Sequence, residues 1–136
     1  MTKDAYREIL EFHAEHPQGS EPLEDHDCEG TYRSQKTGNH CSVRIKLADG
    51  AIERLSAEVK GSALARACAS LMVSALVGVR MSEARKTALG VKSFLEAKDE
   101  SDLPGELIVY RSILSFPERF DCALLAWRAF LESEGS

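Results

Sequence analysis

Hydrophobic and polar residues recur along this chain with two different periods, which divide it into helical and extended parts. Ahead of Pro17, four residues recur at helical spacing: Tyr6, Ile9, Leu10 and His13. This spacing places side chains on one face of an amphipathic helix, and proline is excluded from a helix interior. We therefore predict a first helix over residues 3–15.

The period changes to two between residues 30 and 60. Apolar residues alternate with polar ones on both sides of an Asp-Gly pair at 49–50: Cys41, Val43, Ile45 and Leu47 before it, and Leu55, Ala57 and Val59 after it. Asp-Gly between alternating segments is typical of a two-residue hairpin turn. A preceding strand around Thr31–Ser34 would complete three antiparallel strands, about the minimum for a stable small sheet.

Helical spacing returns after residue 60. Five residues share one apolar helical face, and Gly78 ends this helix: Leu64, Cys68, Leu71, Met72 and Ala75. The segment "MSEARKTALGVKSFLEAK" predicts another helix, with Ser82 as its N-cap. These are two of the helices that follow the sheet.

Two further helices are predicted near the C-terminus. A polar loop precedes a short helix whose inward residues would be Leu107, Tyr110 and Leu114. In the last helix, Ser115 and Glu118 have the spacing of a capping box. The fold class predicted from all these elements is α+β, a three-stranded antiparallel sheet with about five helices packed on one face.

The length and composition of the chain indicate one globular domain with one polar connector. With 136 residues, 43% of them hydrophobic, the chain is long enough for one domain over residues 1–136 with its own core. The stretch from about 18 to 30 is rich in proline, glycine and acidic residues, which predicts an exposed and mobile connector.

The balance of charge argues against two classes of partner. A net charge of −5 without a cluster of Lys and Arg argues against nucleic acid and against an anionic membrane as partner. The sequence has no long apolar run, and its first residues lack the pattern of a signal peptide, so we predict a cytoplasmic protein.

The four cysteines form no Cys-x-x-Cys pair and are expected to be thiols. Cys41 and Cys68 fall on the apolar faces of their strand and helix, which predicts core positions. Cys122 is different. In "SFPERFDCALLAWRAF" it lies about 200° around the helix from Phe120, on whose side the apolar residues cluster, so it is expected to point away from that face.

The segment "FPERFDCALLAWRAF" resembles the "FPxR..CA.L.W" end of the U-type iron–sulfur cluster assembly proteins, the SufU and IscU family, to which the N-terminal part of NifU is related. With the hairpin "DG" as anchor, residues 37–84 also match the family pattern without a gap, and "YREILEFHAEHP" is similar to the family's N-terminal segment. The resemblance covers nearly the whole chain except residues 19–33.

The resemblance implies a site in which most ligands are replaced. Family members use three cysteines and a carboxylate around zinc or a nascent cluster. In the corresponding positions this chain has Thr37, Asn39, Ser62 and Cys122, of which only Cys122 is a thiol. Asp121 stands where the family has a variable His or Lys. Because zinc and cluster iron prefer thiolates, we expect no resident cofactor.

The resemblance leaves several functions open. Cys122 could accept sulfur from a cysteine desulfurase, or the chain could dock with that enzyme or other iron–sulfur assembly proteins. Alternatively, it could be a non-catalytic interaction module. A relocated metal site can be drawn from four residues: His26, Cys28, His40 and Cys122. A nucleophilic enzyme is the least favoured alternative, because no histidine is placed by sequence to act as a base.

Overall fold

The sheet is antiparallel, as predicted, and is larger by one short strand. The computed structural model describes residues 3–97 and 103–135. It contains the strands Cys28–Arg33 (β1), His40–Ala48 (β2), Ala51–Lys60 (β3) and Glu134–Gly135 (β4), in the order β3-β2-β1-β4. The predicted three strands are confirmed, although β1 begins earlier than expected. A strand as short as β4 shows no period from which it could be predicted.

The hairpin between β2 and β3 has the predicted turn. Asp49 and Gly50 both have positive φ, 52° and 81°, as a type I′ turn requires. Val43 is directly opposite Ala57, and both are buried. One face of the hairpin is therefore the sheet side of the core.

Five helices accompany the sheet in the described ranges: Lys3–Glu15 (α1), Ala63–Leu76 (α2), Met81–Glu96 (α3), the 3₁₀ helix Gly105–Ile113 and Phe120–Leu131 (α4). α2 packs on β3, α4 packs on β1 and β2, and α1 and α3 contact α2 and α4 respectively. This is the predicted α+β arrangement. None of the helices in the described ranges is long and apolar enough to cross a membrane.

Two predicted helix caps are wrong. α3 has Arg80 at its N-cap, and Ser82 lies inside the helix. Arg80 pairs with Ala51 beside the hairpin, so the sheet fixes where α3 starts. The Ser115–Glu118 capping box does not form either, because a 3₁₀ turn over Pro117–Arg119 precedes α4, and neither start has a side-chain cap.

The segment Gly105–Ile113 forms a 3₁₀ helix, whose period of three changes the inward face. Leu107, Tyr110 and Ile113 are buried, whereas the predicted Leu114 is only partly buried. The Tyr110 hydroxyl accepts a hydrogen bond of 2.7 Å from Trp127 Nε1. This buried pair joins the 3₁₀ helix to α4.

The acidic connector is exposed at most of its positions, but a few buried positions anchor it to the sheet. Leu23 and Cys28 are buried, with 5% and 2% exposure. Gly19 O accepts a hydrogen bond from Ala57 N, and Asp27 Oδ2 accepts one from Leu47 N. The connector therefore lies along the sheet and is held by backbone groups and by the carboxylate of Asp27.

One buried histidine links α1 to the rest of the helical layer. His13 Nδ1 lies 2.7 Å from Ser70 Oγ in α2, and His13 Nε2 lies 3.0 Å from Glu106 Oε1 in the 3₁₀ helix. Ser70 Oγ also accepts a hydrogen bond from Gln18 N. A buried polar side chain is stable only with such partners.

Candidate functional site

The predicted site residues meet at one end of the sheet. Here the turn between β1 and β2 approaches the first turns of α2 and α4. Asn39 Nδ2 donates a hydrogen bond of 3.5 Å to Cys122 Sγ, and Asn39 N donates one to Thr37 Oγ1. The β1–β2 turn and the start of α4, which the resemblance assigns to one site, are therefore in contact.

Ser62 reaches this end of the sheet through its neighbour Gly61. A Cβ atom at Gly61 would lie 2.8 Å from Asn39 Cγ, so the missing side chain makes room for the asparagine. Ser62 Oγ accepts a hydrogen bond of 3.1 Å from Ala65 N and caps α2. The N-cap interpretation of Ser62 is confirmed, and this oxygen is already engaged.

Asp121 is held by an ion pair and by hydroxyl groups. Its Oδ1 atom lies 3.1 Å from Arg128 NH1, and its Oδ2 atom accepts hydrogen bonds from Ser34 and, at 3.5 Å, from Thr37. Arg128 also pairs with Glu96 at 2.8 Å. The carboxylate therefore ties α4 to the β1–β2 turn, and its charge is compensated.

Arg128 keeps its positive charge at this position. Burial alone would lower the pKa of Arg128, but the hydrogen bond to Glu96 and the nearby Asp121 raise it, and the net direction is upward. The charged guanidinium is thus available for its ion pairs with Asp121 and Glu96.

Cys122 is half-buried and packs against the core. The predicted apolar residues Ala123, Leu124 and Trp127 are buried, but so are Leu125 and Ala129 on other sides of the helix. α4 is therefore covered over most of its circumference, and Cys122 is one of its partly accessible positions, as are Phe120, Asp121, Arg128 and Leu131.

The remaining cysteines are core residues. Cys41 and Cys68 are fully buried, as predicted, and burial raises the pKa of each thiol to about 12. Cys28, which was expected in an exposed linker, is also buried, within β1. Thiols held this way are poor nucleophiles at neutral pH.

The structure does not bring the relocated metal candidates together. His26 contacts the connector carbonyls and lies 3.5 Å from Glu29, while Cys28 is enclosed in the core. His40 lies on the opposite face of β2 from Cys41, which faces the helices. Within residues 3–97 and 103–135, no group of three or more His, Cys, Asp or Glu side chains could hold a metal ion.

The donor set at the site does not fit zinc or an iron–sulfur cluster. It offers one thiol, while the neighbouring amide and hydroxyl groups are neutral and Asp121 is paired with Arg128. Zinc and cluster iron require several anionic ligands, mainly thiolates.

Two residues of the site were missed from the sequence. Arg128 lies seven residues after Asp121, two helical turns along one face, which is a detectable signal. Ser34 is buried at the end of β1 and bonds to Asp121. Nothing in its local sequence distinguishes it from an ordinary turn serine.

Comparison with known proteins agrees with the architecture. The family of the NifU-like N-terminal domain matches residues 5–130. The iron–sulfur cluster assembly scaffold protein IscU of Thermotoga maritima is 28% identical over 103 residues, which are 71% of this chain and 68% of that protein. IscU of Streptococcus pyogenes is 26% identical over 99 residues, 71% of this chain, and the match spans only 62% of its length.

Solved structures show the same fold. A protein from Fervidobacterium islandicum, described as an iron–sulfur cluster assembly scaffold for the SUF system, superposes with a TM-score of 0.81 at 16% identity, covering 96% of this chain and 97% of the other. The N-terminal part of a NifU-like protein from Brucella abortus gives 0.77 at 24% identity, covering 94% and 92%. With the family match over most of its length and the site at the end of its sheet, this chain belongs to the NifU-like N-terminal domain family, which includes the IscU and SufU scaffold proteins.

Proposed function

We propose that this protein is an accessory member of an iron–sulfur assembly system that accepts sulfur on Cys122 from a cysteine desulfurase. The observation that carries the proposal is the contact between Asn39 Nδ2 and Cys122 Sγ, 3.5 Å, at a partly accessible thiol. An N–H group directed at sulfur is a favourable partner for a thiolate or a bound persulfide. Membership of the scaffold family supports a partner of this class.

The transfer requires a single cysteine on this chain. The Cys122 thiolate attacks the terminal sulfur of a persulfide on the desulfurase and forms a new sulfur–sulfur bond. The bond between that sulfur and the desulfurase cysteine breaks, and the desulfurase cysteine leaves as a thiolate. Electrons and atoms balance without any further oxidant or reductant.

Labelling with radioactive cysteine tests the transfer. The protein is incubated with a cysteine desulfurase and ³⁵S-cysteine, alkylated and separated under non-reducing conditions. We expect label on the wild type, none on Cys122→Ser, and wild-type label on Cys68→Ala, which removes a buried thiol instead. Absence of label on the wild type, or equal label on Cys122→Ser, rules out the acceptor role.

Asn39 provides a finer test of the same idea. Asn39→Ala removes the N–H donor at sulfur and leaves the thiol in place. A net hydrogen bond is worth about 0.5–1.5 kcal/mol, so the rate of labelling should fall by about two- to tenfold. An unchanged rate of labelling would show that Asn39 does not assist the sulfur transfer.

A second candidate is an interaction module that keeps the fold and transfers nothing. It is favoured by the closed network around Asp121, in which Arg128, Ser34 and Thr37 already occupy the carboxylate. In that case Cys122→Ser should bind its partner and support cellular activity as well as the wild type does. Loss of cellular activity in a folded Cys122→Ser protein would exclude this candidate.

A further inference from the structure

Three basic side chains lie side by side across the end of the sheet. Arg33 in β1 is directly opposite His40 in β2, and His40 is directly opposite Lys60 in β3. Residues directly opposite each other in a sheet point to the same face. Because Cys41 faces the helices, this basic row, Arg33–His40–Lys60, lies on the other face.

The basic row differs from the rest of that face in its ion pairing. Further along the same strands, Lys46 lies 3.3 Å from Asp25 and Arg44 lies 4.0 Å from Glu29, so the connector compensates both cations. In the described ranges, by contrast, no carboxylate forms an ion pair with a member of the basic row. The chain as a whole carries 22 Asp and Glu against 17 Lys and Arg, and Arg33 and Lys60 nevertheless bring two positive charges to this row.

A cleft beside the basic row gives it depth. The cleft has a volume of about 400 Å³ and is lined by His40, Lys60, Arg66, Ser42, Glu58 and Gln18, among others. Glu58 is the one carboxylate of this lining, and it lies beyond ion-pairing distance of Lys60 and Arg66. Arg66 donates a hydrogen bond to Gly61 O, and no carboxylate within residues 3–97 and 103–135 forms an ion pair with it.

We propose that the basic row and its cleft bind an acidic segment of a partner protein. Carboxylates spaced along an extended segment would supply the counter-ions that the connector supplies to Lys46 and Arg44. A nucleic acid fits less well, because its affinity depends on many phosphate contacts and this chain, of net charge −5, presents only a few cations here.

The position of the basic row connects it with Cys122. His40 directly follows Asn39, and Lys60 directly precedes Gly61, the two residues that pack together beside the thiol. A partner bound on this row would therefore lie next to the site. This last step rests on the proposed sulfur transfer, whereas binding of the acidic segment does not.

The probe for the proposal is an oligoglutamate peptide, titrated at low salt into the ¹⁵N-labelled protein and followed by NMR. We expect shifts of the Arg33, His40 and Lys60 resonances, and none with an oligoglutamine peptide of equal length. Replacing Arg33 and Lys60 together by serine should raise the Kd by about tenfold, which is within the range for two exposed ion pairs. Both side chains are exposed, so the fold should be retained.

A matched variant separates the row from overall charge. Replacing Arg44 and Lys46 by serine removes the same charge from the same face. Because connector carboxylates already pair with these two cations, we expect less than about a twofold change in Kd. An equal loss of affinity in the two variants would overturn the proposal. Saturation of the same resonances by inorganic phosphate, or tighter binding of a single-stranded oligonucleotide, would overturn it too.

The outcome is independent of the sulfur-transfer test. A protein that binds the peptide at the basic row but is never labelled on Cys122 would refute the proposed function and leave this inference standing. A protein that is labelled on Cys122 but does not bind the peptide would support the proposed function and refute this inference.

Discussion

Asp121 stabilises the site by linking α4 to the β1–β2 turn, and replacing it by alanine tests this role. The substitution removes the acceptor of hydrogen bonds from Ser34 and Arg128. The side chain of Asp121 is only 14% exposed, so water cannot easily replace these partners. Arg128 would not be left alone, because Glu96 still pairs with it.

The expected cost follows from these contacts. A hydrogen bond that involves a charged group contributes about 1.5–3 kcal/mol, and the 3.5 Å contact with Thr37 adds little. Because Arg128 keeps a partner, we expect Asp121→Ala to lower the free energy of unfolding by about 2–3 kcal/mol. For a chain of this size this corresponds to a decrease in Tm of about 6–12 °C.

The matched control is Glu96→Gln, which removes the other carboxylate on Arg128. Glu96 is 39% exposed, and exposed ion pairs contribute about 0–1 kcal/mol. Urea unfolding, followed by fluorescence of Trp127, gives both free energies. Equal losses in the two variants would refute the reasoning, since Asp121 would then contribute no more than a surface carboxylate.

The thiol itself provides a second readout for Asp121. The carboxylate of Asp121 holds the turn that carries Asn39. The effect of the double variant Asp121→Ala/Asn39→Ala on the alkylation rate of Cys122 should therefore differ from the sum of the two single effects. Additive effects would mean that Asp121 acts on stability alone.

Three further predictions concern stability and metal content. Burial raises the pKa of Cys68 from 9.0 to about 12, so the native protein binds more protons than the unfolded chain above pH 9. The free energy of unfolding should therefore fall between pH 9 and 12, and it should fall less in Cys68→Ala. Urea unfolding across that pH range measures both. Gly30→Ala should unfold the protein or lower the free energy of unfolding by more than about 3 kcal/mol, because the new Cβ would lie 2.5 Å from Ser133 N. Gly90 lies on α3 with open space around it, so Gly90→Ala should raise the free energy of unfolding by about 0.5–1 kcal/mol. Thermal unfolding measures both variants. Purified protein should contain zinc and iron well below one atom per chain, and EDTA should leave its Tm unchanged; a stoichiometric metal by elemental analysis would contradict our account of the donor set.

The extent to which sequence predicted this structure depended on how local each signal was. The hairpin was predictable because an Asp-Gly pair sets its turn and a period of two fixes which residues face the core. With that turn as anchor, the resemblance to the SufU and IscU family placed Asn39 and Cys122 at ligand positions of one site, and their side chains are in contact.

The features that could not be predicted depend on distant neighbours. Ser82 has the residue type of an N-cap, but pairing of Arg80 with Ala51 decides where α3 begins. Leu23 lies in a stretch whose composition indicates exposure, yet the sheet offers it an apolar surface. In the 3₁₀ helix, Leu107, Tyr110 and Leu114 suit an α-helical period, and no local signal indicates the tighter one.

The contacts of His13 have a consequence for how the molecule opens. Its imidazole bridges α1, α2 and the 3₁₀ helix, and the partner Ser70 also holds the backbone of Gln18 at the start of the connector. These segments should therefore fluctuate as one cooperative unit, and native-state hydrogen exchange should give their amides a common opening free energy. His13→Ala would lower that shared value throughout the unit while leaving the β2–β3 hairpin at its original protection.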